Sequence, residues 1–321
     1  MPGFATHYLF GADAIRQLNC PRLCSILRQN PSAYALGLQG PDLFFYYLPS
    51  YLLHRHNIGS LAHSEKTGEF FAHLLESRGL FPGKETDLAI ADAYIMGFLG
   101  HYTLDCTIHP YVYAFTGYTP KNPPKNTRYF GKHAYFETEI DNTLLFRKKH
   151  LRPSEFRQAA TIRLSFRQRT VITRMLVYAY RNTYPGIVVS EILFGNAPQW
   201  MTLGTRLFRD PSGKKKVLAR LLERLMLGRA FISPLLPSDR IRFFTDPLNH
   251  RHKAWRHPWT EQSSTASFDE LYRAAGRRYL SRLLAYDQLR QSGFSENLRR
   301  SFLDEYGSLS FLSGLPCEIK Y

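Results

Sequence analysis

GFLGHYTLDCTIHPY, residues 97–111, sets His101, Asp105 and His109 four apart in a stretch that is otherwise mostly apolar or aromatic. Residues four apart lie on nearly one face of an α-helix, so the three side chains form a line with roughly 6 Å between levels. The surrounding pattern predicts a helix from Asp87, whose acids suit a helix N-terminus, to about His109, where Pro110 disfavours helix at the preceding residue. Imidazole and carboxylate are ligand types that zinc accepts, and two of them at i, i+4 can grip one ion. The outer histidines stand roughly 12 Å apart along the axis, too far to share an ion comfortably, so the ladder suggests more than one metal.

The pattern repeats in GKHAYFETEID, residues 131–141, where His133 and Glu137 sit at i, i+4 and Asp141 extends the line. Upstream candidates are Asp42, on a turn opened by Gly40 and Pro41, His63, and His7 near the N-terminus. A lone histidine on an apolar face is more often a hydrogen-bonded core residue. Two His/carboxylate pairs within forty residues are harder to dismiss, because buried carboxylates are costly unless paired or metal-bound. Glu139 and Asp141 are expected to orient histidines by accepting their second ring proton. His54, His56, His73 and His150 read as surface residues. His250, His252 and His257 are interleaved with Arg and Lys, whose charge opposes a cation, and read as a structural or phosphate-facing turn.

Further helices are expected from Thr6 to Leu18, from Ser60 as N-cap through Phe70, Phe71, Leu74 and Leu75 to a stop at Gly79, from His133 to about Lys149, and after Pro153 in long periodic segments closed by a pair from Ser267. Strand signals are few, and the expectation is an all-α fold. Residues 1–150 are expected to form a metal-binding helical core, with 151–321 a basic helical region packed on it; the boundary is soft, drawn at a charge shift and Pro153. Of the formal net charge of +16, residues 1–146 carry −1, so the second half holds the whole excess. Such asymmetry suits phosphate, as nucleic acid, an anionic membrane surface or an acidic partner, or simply a solvated face. No apolar run reaches the length of a transmembrane segment and no leader pattern is seen, so a cytoplasmic protein is expected. The four cysteines, at 20, 24, 106 and 317, make no zinc-ribbon spacing and read as reduced thiols.

With these residues in view, the chain resembles the zinc-dependent phospholipase C proteins, relatives of the single-strand-specific zinc nucleases. The resemblance rests on MPGFATHYLFG (1–11), LGLQGPDLFFYYLPS (36–50), NIGSLAHSEKTGEFF (57–71), GFLGHYTLDCTIHPYVYA (97–114) and YFGKHAYFETEID (129–141). Weaker likeness to a bacterial intracellular branch extends through TIRLSFRQ, VYAYRNTYP and the W-x-x-P-W turn at 255–259. The resemblance implies an all-helical fold around two or three zinc ions that hydrolyses phosphoesters. Asp42, His63, His101 and Asp105 resemble the ligands of one zinc, with His56 a rival to His63. His109, His133 and Glu137 resemble those of a second, and Asp105 would bridge to a third held by His7. Asp42 alternatively serves as general base if it sits beside the metal.

The expected activity is hydrolysis of a phosphodiester or phosphomonoester by metal-activated water, with phospholipid among the candidate substrates. Two rivals stand beside it. A single-strand nuclease would use the basic charge and aromatics to track phosphates and stack bases. A non-catalytic metal-stabilised scaffold would bind zinc with no open coordination position and attach to a membrane or partner through its basic half.

Overall fold

The computed structural model describes residues 3–49, 57–120, 127–226, 230, 232–239 and 246–319. It is predominantly helical, as expected, with one small antiparallel pair, β1 (Trp255–Arg256) and β2 (Ser263–Ser264). The helices are α1 (Phe4–Gln17), α2 (Pro21–Gln29), α3 (Pro31–Gly37), α4 (Ile58–Ser64), α5 (Thr67–Glu76), α6 (Glu85–Thr116), α7 (Thr127–Lys149), α8 (Gln158–Thr161), α9 (Phe166–Thr183), α10 (Glu191–Leu207), α11 (Lys214–Met226), α12 (Phe268–Gln291) and α13 (Glu296–Tyr306). Among the described residues no helix is long and apolar enough to cross a membrane.

The 32-residue α6 is the axis of the molecule. It is buried on all sides from Ile90 to Asp105, which is why its sequence lacks a polar stripe. Around it pack α1, α3, α7, α9 and α12. Gly37 and Gly97 let α3 lie directly on α6: a Cβ on either would come within 2.3 Å of a carbonyl oxygen of the other helix. The Tyr279 hydroxyl on α12 donates to the Met96 carbonyl at 2.7 Å and meets the Tyr34 hydroxyl at 3.0 Å, tying α12, α6 and α3 together. One continuous core therefore draws on both halves of the chain, with Tyr306 stacked on Phe71 and on Tyr102.

Two expected helix boundaries are corrected. α6 does not stop at Pro110 but runs on to Thr116, where Gly117 in the left-handed region ends it. Proline removes one helical hydrogen bond and crowds the carbonyl four residues back, here that of Cys106. Gly314 packs against that oxygen so closely that a Cβ would lie 2.3 Å from it. Burial of Tyr111 and Val112 beyond the proline, with the Tyr111 hydroxyl donating to the Pro247 carbonyl at 2.8 Å, holds the extra turn. The expected single helix from Ser60 is instead α4 and α5, broken at Lys66 with φ of 50°. Its N-cap is Asn57, whose side chain accepts from the backbone N–H groups of Gly59 and Ser60.

Candidate metal centre

Five segments bring eight side chains to one end of the α6 interior. α1 supplies His7; the 3-10 turn Gly40–Phe45 supplies Asp42; α4 supplies His63; α6 supplies His101, Asp105 and His109; α7 supplies His133 and Glu137. Gly40, at φ of 50°, makes the turn possible, and a Cβ there would strike the His101 ring at 2.4 Å. All eight residues are buried, from none to 9% exposed. His133 and Glu137 are the most open, so the site faces outward on the α7 side.

Potential ligand atoms cluster in three triads within 4.8 Å: His7, His101 and Asp105; Asp42, His63 and His101; His109, His133 and Glu137. Asp105 links them. Its Oδ1 lies 3.2 Å from His7 Nε2, while Oδ2 lies 3.2 Å from His101 Nε2 and 3.6 Å from His63 Nε2. Asp42 Oδ1 is 3.1 Å from His63 Nε2, and Glu137 Oε1 is 2.9 Å from His133 Nε2 and 3.6 Å from His109 Nε2. The rings of His7 and His101 stack at 4.2 Å. The sequence-predicted residues thus converge, with His101 shared between two triads. His56 lies outside the described residues.

The ring orientations decide what this cluster fits. Nδ1 of His63 donates to the Gly59 carbonyl at 2.6 Å, that of His101 to Leu38 at 3.1 Å, and that of His109 to Phe311 at 2.7 Å. A carbonyl oxygen only accepts, so each neutral ring carries its proton on Nδ1 and presents an Nε2 lone pair inward. At His63 and His101 those lone pairs face carboxylate oxygens. Nε2 of both rings, Asp42 Oδ1 and both Asp105 oxygens make no hydrogen bond of acceptable geometry. Acceptors facing acceptors at such distances are repulsive, and a divalent cation between them removes the repulsion. Neither Asp42 nor Asp105 pairs with a lysine or arginine among the described residues. By contrast Asp92, at the opposite end of α6, is neutralised by Arg78 and Arg290 and accepts from the Tyr286 hydroxyl, each at 2.7 Å.

Protonation follows the same logic. Burial opposes ionisation of Asp105, and what holds it well below the usual carboxylate range is positive charge at the positions of His101, His109 and His7, a charge that neutral rings do not supply and that a bound cation would. At Asp42, too, burial is outweighed only by positive charge at His63 and His101. Burial pushes His109 down to about 3 and His133 well below its ordinary value, keeping both neutral. Burial, reinforced by Asp42, Asp105 and Asp141, lifts Glu137 well above the usual range. Neutral imidazoles and crowded carboxylates are the state in which a site accepts a cation.

The expected supporting role of Asp141 is corrected. Its carboxylate accepts from the Ala5 and Thr6 backbone N–H groups at 2.9 and 2.8 Å and from the Thr6 hydroxyl at 2.6 Å, capping α1 and so fixing His7. The acceptors that orient His63, His101 and His109 are backbone carbonyls rather than Glu139 or Asp141, and backbone acceptors leave no mark in a sequence. Phe311 was missed altogether. Its ring packs against His63 and His101 at 5.1 and 5.7 Å, and its N–H donates to the His63 carbonyl at 2.8 Å. His257 belongs to a structural turn, its Nδ1 accepting from the Trp259 and Thr260 N–H groups. Phe44 and Tyr47, which follow Asp42, are part of the core.

The profile of the zinc dependent phospholipase C family matches residues 6–188, more than half of the chain. The chain belongs to that family. No curated protein and no solved structure matches it significantly. All eight converging residues lie inside the matched segment, and Phe311 lies beyond it.

Proposed function

We propose that the protein is a zinc-dependent phosphoester hydrolase of phospholipase C type, holding two or three zinc ions and cleaving the phosphate ester of a phospholipid headgroup. The observation that carries the reading is the set of inward Nε2 lone pairs facing the oxygens of Asp42 and Asp105, in a chain of this family. Zinc bound there supplies Lewis acidity, lowering the pKa of water toward about 7 and neutralising phosphate charge. Asp42 and His63, with His101 and Asp105, would hold one ion, and His109, His133 and Glu137 a second. His7 would share Asp105 with a third.

The chain's own residues define the rest. Asp105 presents one oxygen to each side and so sets the spacing of the sites. Asp42 can either bind metal or take the proton of the attacking water, since its carboxyl is held ionised. His133 and Glu137, at the more open edge, are placed to meet substrate first.

Elemental analysis of purified protein, with a panel of phospholipid, soluble phosphoester and single-stranded DNA substrates, tests the reading on wild type and Asp105→Asn. The wild type is expected to hold at least two zinc equivalents and to favour phospholipid. The variant should lose more than one equivalent and its activity. Retention of both by Asp105→Asn overturns the assignment, and preferential DNA cleavage replaces the lipase reading by a nuclease.

A further inference from the structure

Helix α11, KKKVLARLLERLM, is turned inside out. The stripe that rests on the protein is Lys216, Ala219 and Glu223, with Lys216 1% and Glu223 5% exposed. Its apolar face points to solvent: Val217 and Leu218 are each 58% exposed, Leu225 74% and Met226 77%, with Leu221 and Leu222 between them. The orientation is fixed by polar contacts. Lys216 Nζ donates to the Leu236 carbonyl at 2.9 Å, its backbone N–H to Asp210, and the Glu223 carboxylate accepts from the N–H groups of Ile232 and Ser233. An amphipathic helix normally buries its apolar face, and an exposed one marks a contact surface.

Charge identifies what covers it. Lys214, Lys215, Arg220 and Arg224 are exposed on the same helix, and its one acid, Glu223, is buried. At the base of the helix Lys215 donates to the carbonyls of Leu207 and Arg209, beside a cavity of about 430 Å³ lined by Arg157, Arg163, Arg206 and Arg209 and by no acid. Leu203 and Leu207, one turn apart at the end of α10, are also exposed. A second copy of this chain pressed face to face would set these cations against themselves. An apolar face rimmed by Lys and Arg suits the boundary between acyl chains and anionic headgroups.

We propose that α11 lies in the surface of an anionic lipid bilayer, its leucines among the acyl chains, with lipid phosphate held by the arginine-lined cavity. The surface is separate from the metal centre: α11 reaches α7 through the turn Ser233–Leu235, which bonds Tyr135 and Thr138, residues that lie across α7 from His133 and Glu137.

The test is sedimentation of the full chain with vesicles of phosphatidylcholine alone or with 30% phosphatidylglycerol as an about one-third anionic surface, comparing wild type with Leu221→Asp/Leu225→Asp. Both substituted positions are exposed, so folding is retained and hydrolysis of a soluble phosphoester, measured in parallel, is unchanged. Wild type is expected to bind the anionic vesicles, less tightly as salt rises, with the double variant weakened about tenfold or more. Equal binding by the variant, equal binding to neutral vesicles, or no binding overturns the proposal. So does a wild-type dimer that the substitutions convert to monomer, which would assign the face to a second copy. Because sedimentation needs no turnover, its result is independent of whether the metal centre hydrolyses lipid.

Discussion

Nδ1 of His109 donates to the carbonyl oxygen of Phe311 at 2.7 Å, joining the central helix to a segment 202 residues later. The same segment returns a hydrogen bond to the His63 carbonyl and lays its ring against His63 and His101. Three imidazoles from two helices thus touch one short stretch, which aims His109 by a hydrogen bond and packs against the other two.

Phe311→Ala keeps the backbone hydrogen bonds but removes the ring that backs His63 and His101, and is expected to lower zinc affinity by about 10-fold, the lower end of the usual effect of removing support behind metal ligands. It also opens a core cavity that costs about 3–5 kcal/mol of stability. Phe302→Ala, at a buried aromatic that packs tilted against Phe71 away from the site, is the control. It should lose comparable stability and keep its zinc affinity, as read by competition with a chromogenic chelator.

Acid should destabilise the protein in a defined window. Burial pushes His109 down to about 3 from an ordinary 6.5, so the unfolded chain binds the proton first and stability falls as pH drops from 6.5 toward 3. Asp105, held well below the usual range, contributes stability that is present above about 4 and is lost below it, in the same direction. Glu137 and Asp141, both lifted by burial, take up protons in the folded state and oppose the fall, so the net loss is carried by His109 and by metal release. Protons also displace metal from imidazole and carboxylate ligands. Thermal melts at pH 7.5, 6.0 and 4.5 (about three points across the window), each with and without chelator, should show falling midpoints, with the chelator effect largest at the highest pH. A midpoint that rises on acidification would contradict the assignment.

Asp92→Asn separates a structural carboxylate from ligand carboxylates. It leaves Arg78 and Arg290 without their shared counter-charge and is expected to cost about 3–5 kcal/mol in chemical denaturation. Zinc content by elemental analysis should be unchanged, since Asp92 lies at the other end of α6 from Asp105. Loss of zinc from this variant would mean that the two ends of the helix are coupled.

The ladder at His101, Asp105 and His109 was legible because helical periodicity alone puts i, i+4 residues on one face, and the second pair at His133 and Glu137 followed by the same rule. The path of the chain around them was not. Pro110 reads as a helix end from local sterics, and tertiary packing, with Tyr111 and Val112 buried beyond the proline and Gly314 close on the Cys106 carbonyl, carries the helix past it. Asp141 looks like a third rung of the α7 ladder, yet its distance to the start of α1 makes it a cap. For α11, periodicity gives the apolar arc of the helix and not the direction in which that arc is turned.

By itself the sequence determined the helical class, the two ladders His101/Asp105/His109 and His133/Glu137 and the excess of positive charge in the second half, since each depends on residue type and short-range spacing; His7, Asp42 and His63 joined them through the family resemblance. Tertiary structure alone decided that Asp105 faces His7 on one side and His101 on the other, that the Leu38, Gly59 and Phe311 carbonyls choose the ring tautomers, and that α11 shows its leucines to solvent. These depend on which distant backbone arrives beside a side chain, and backbone groups are the same at every position of a sequence.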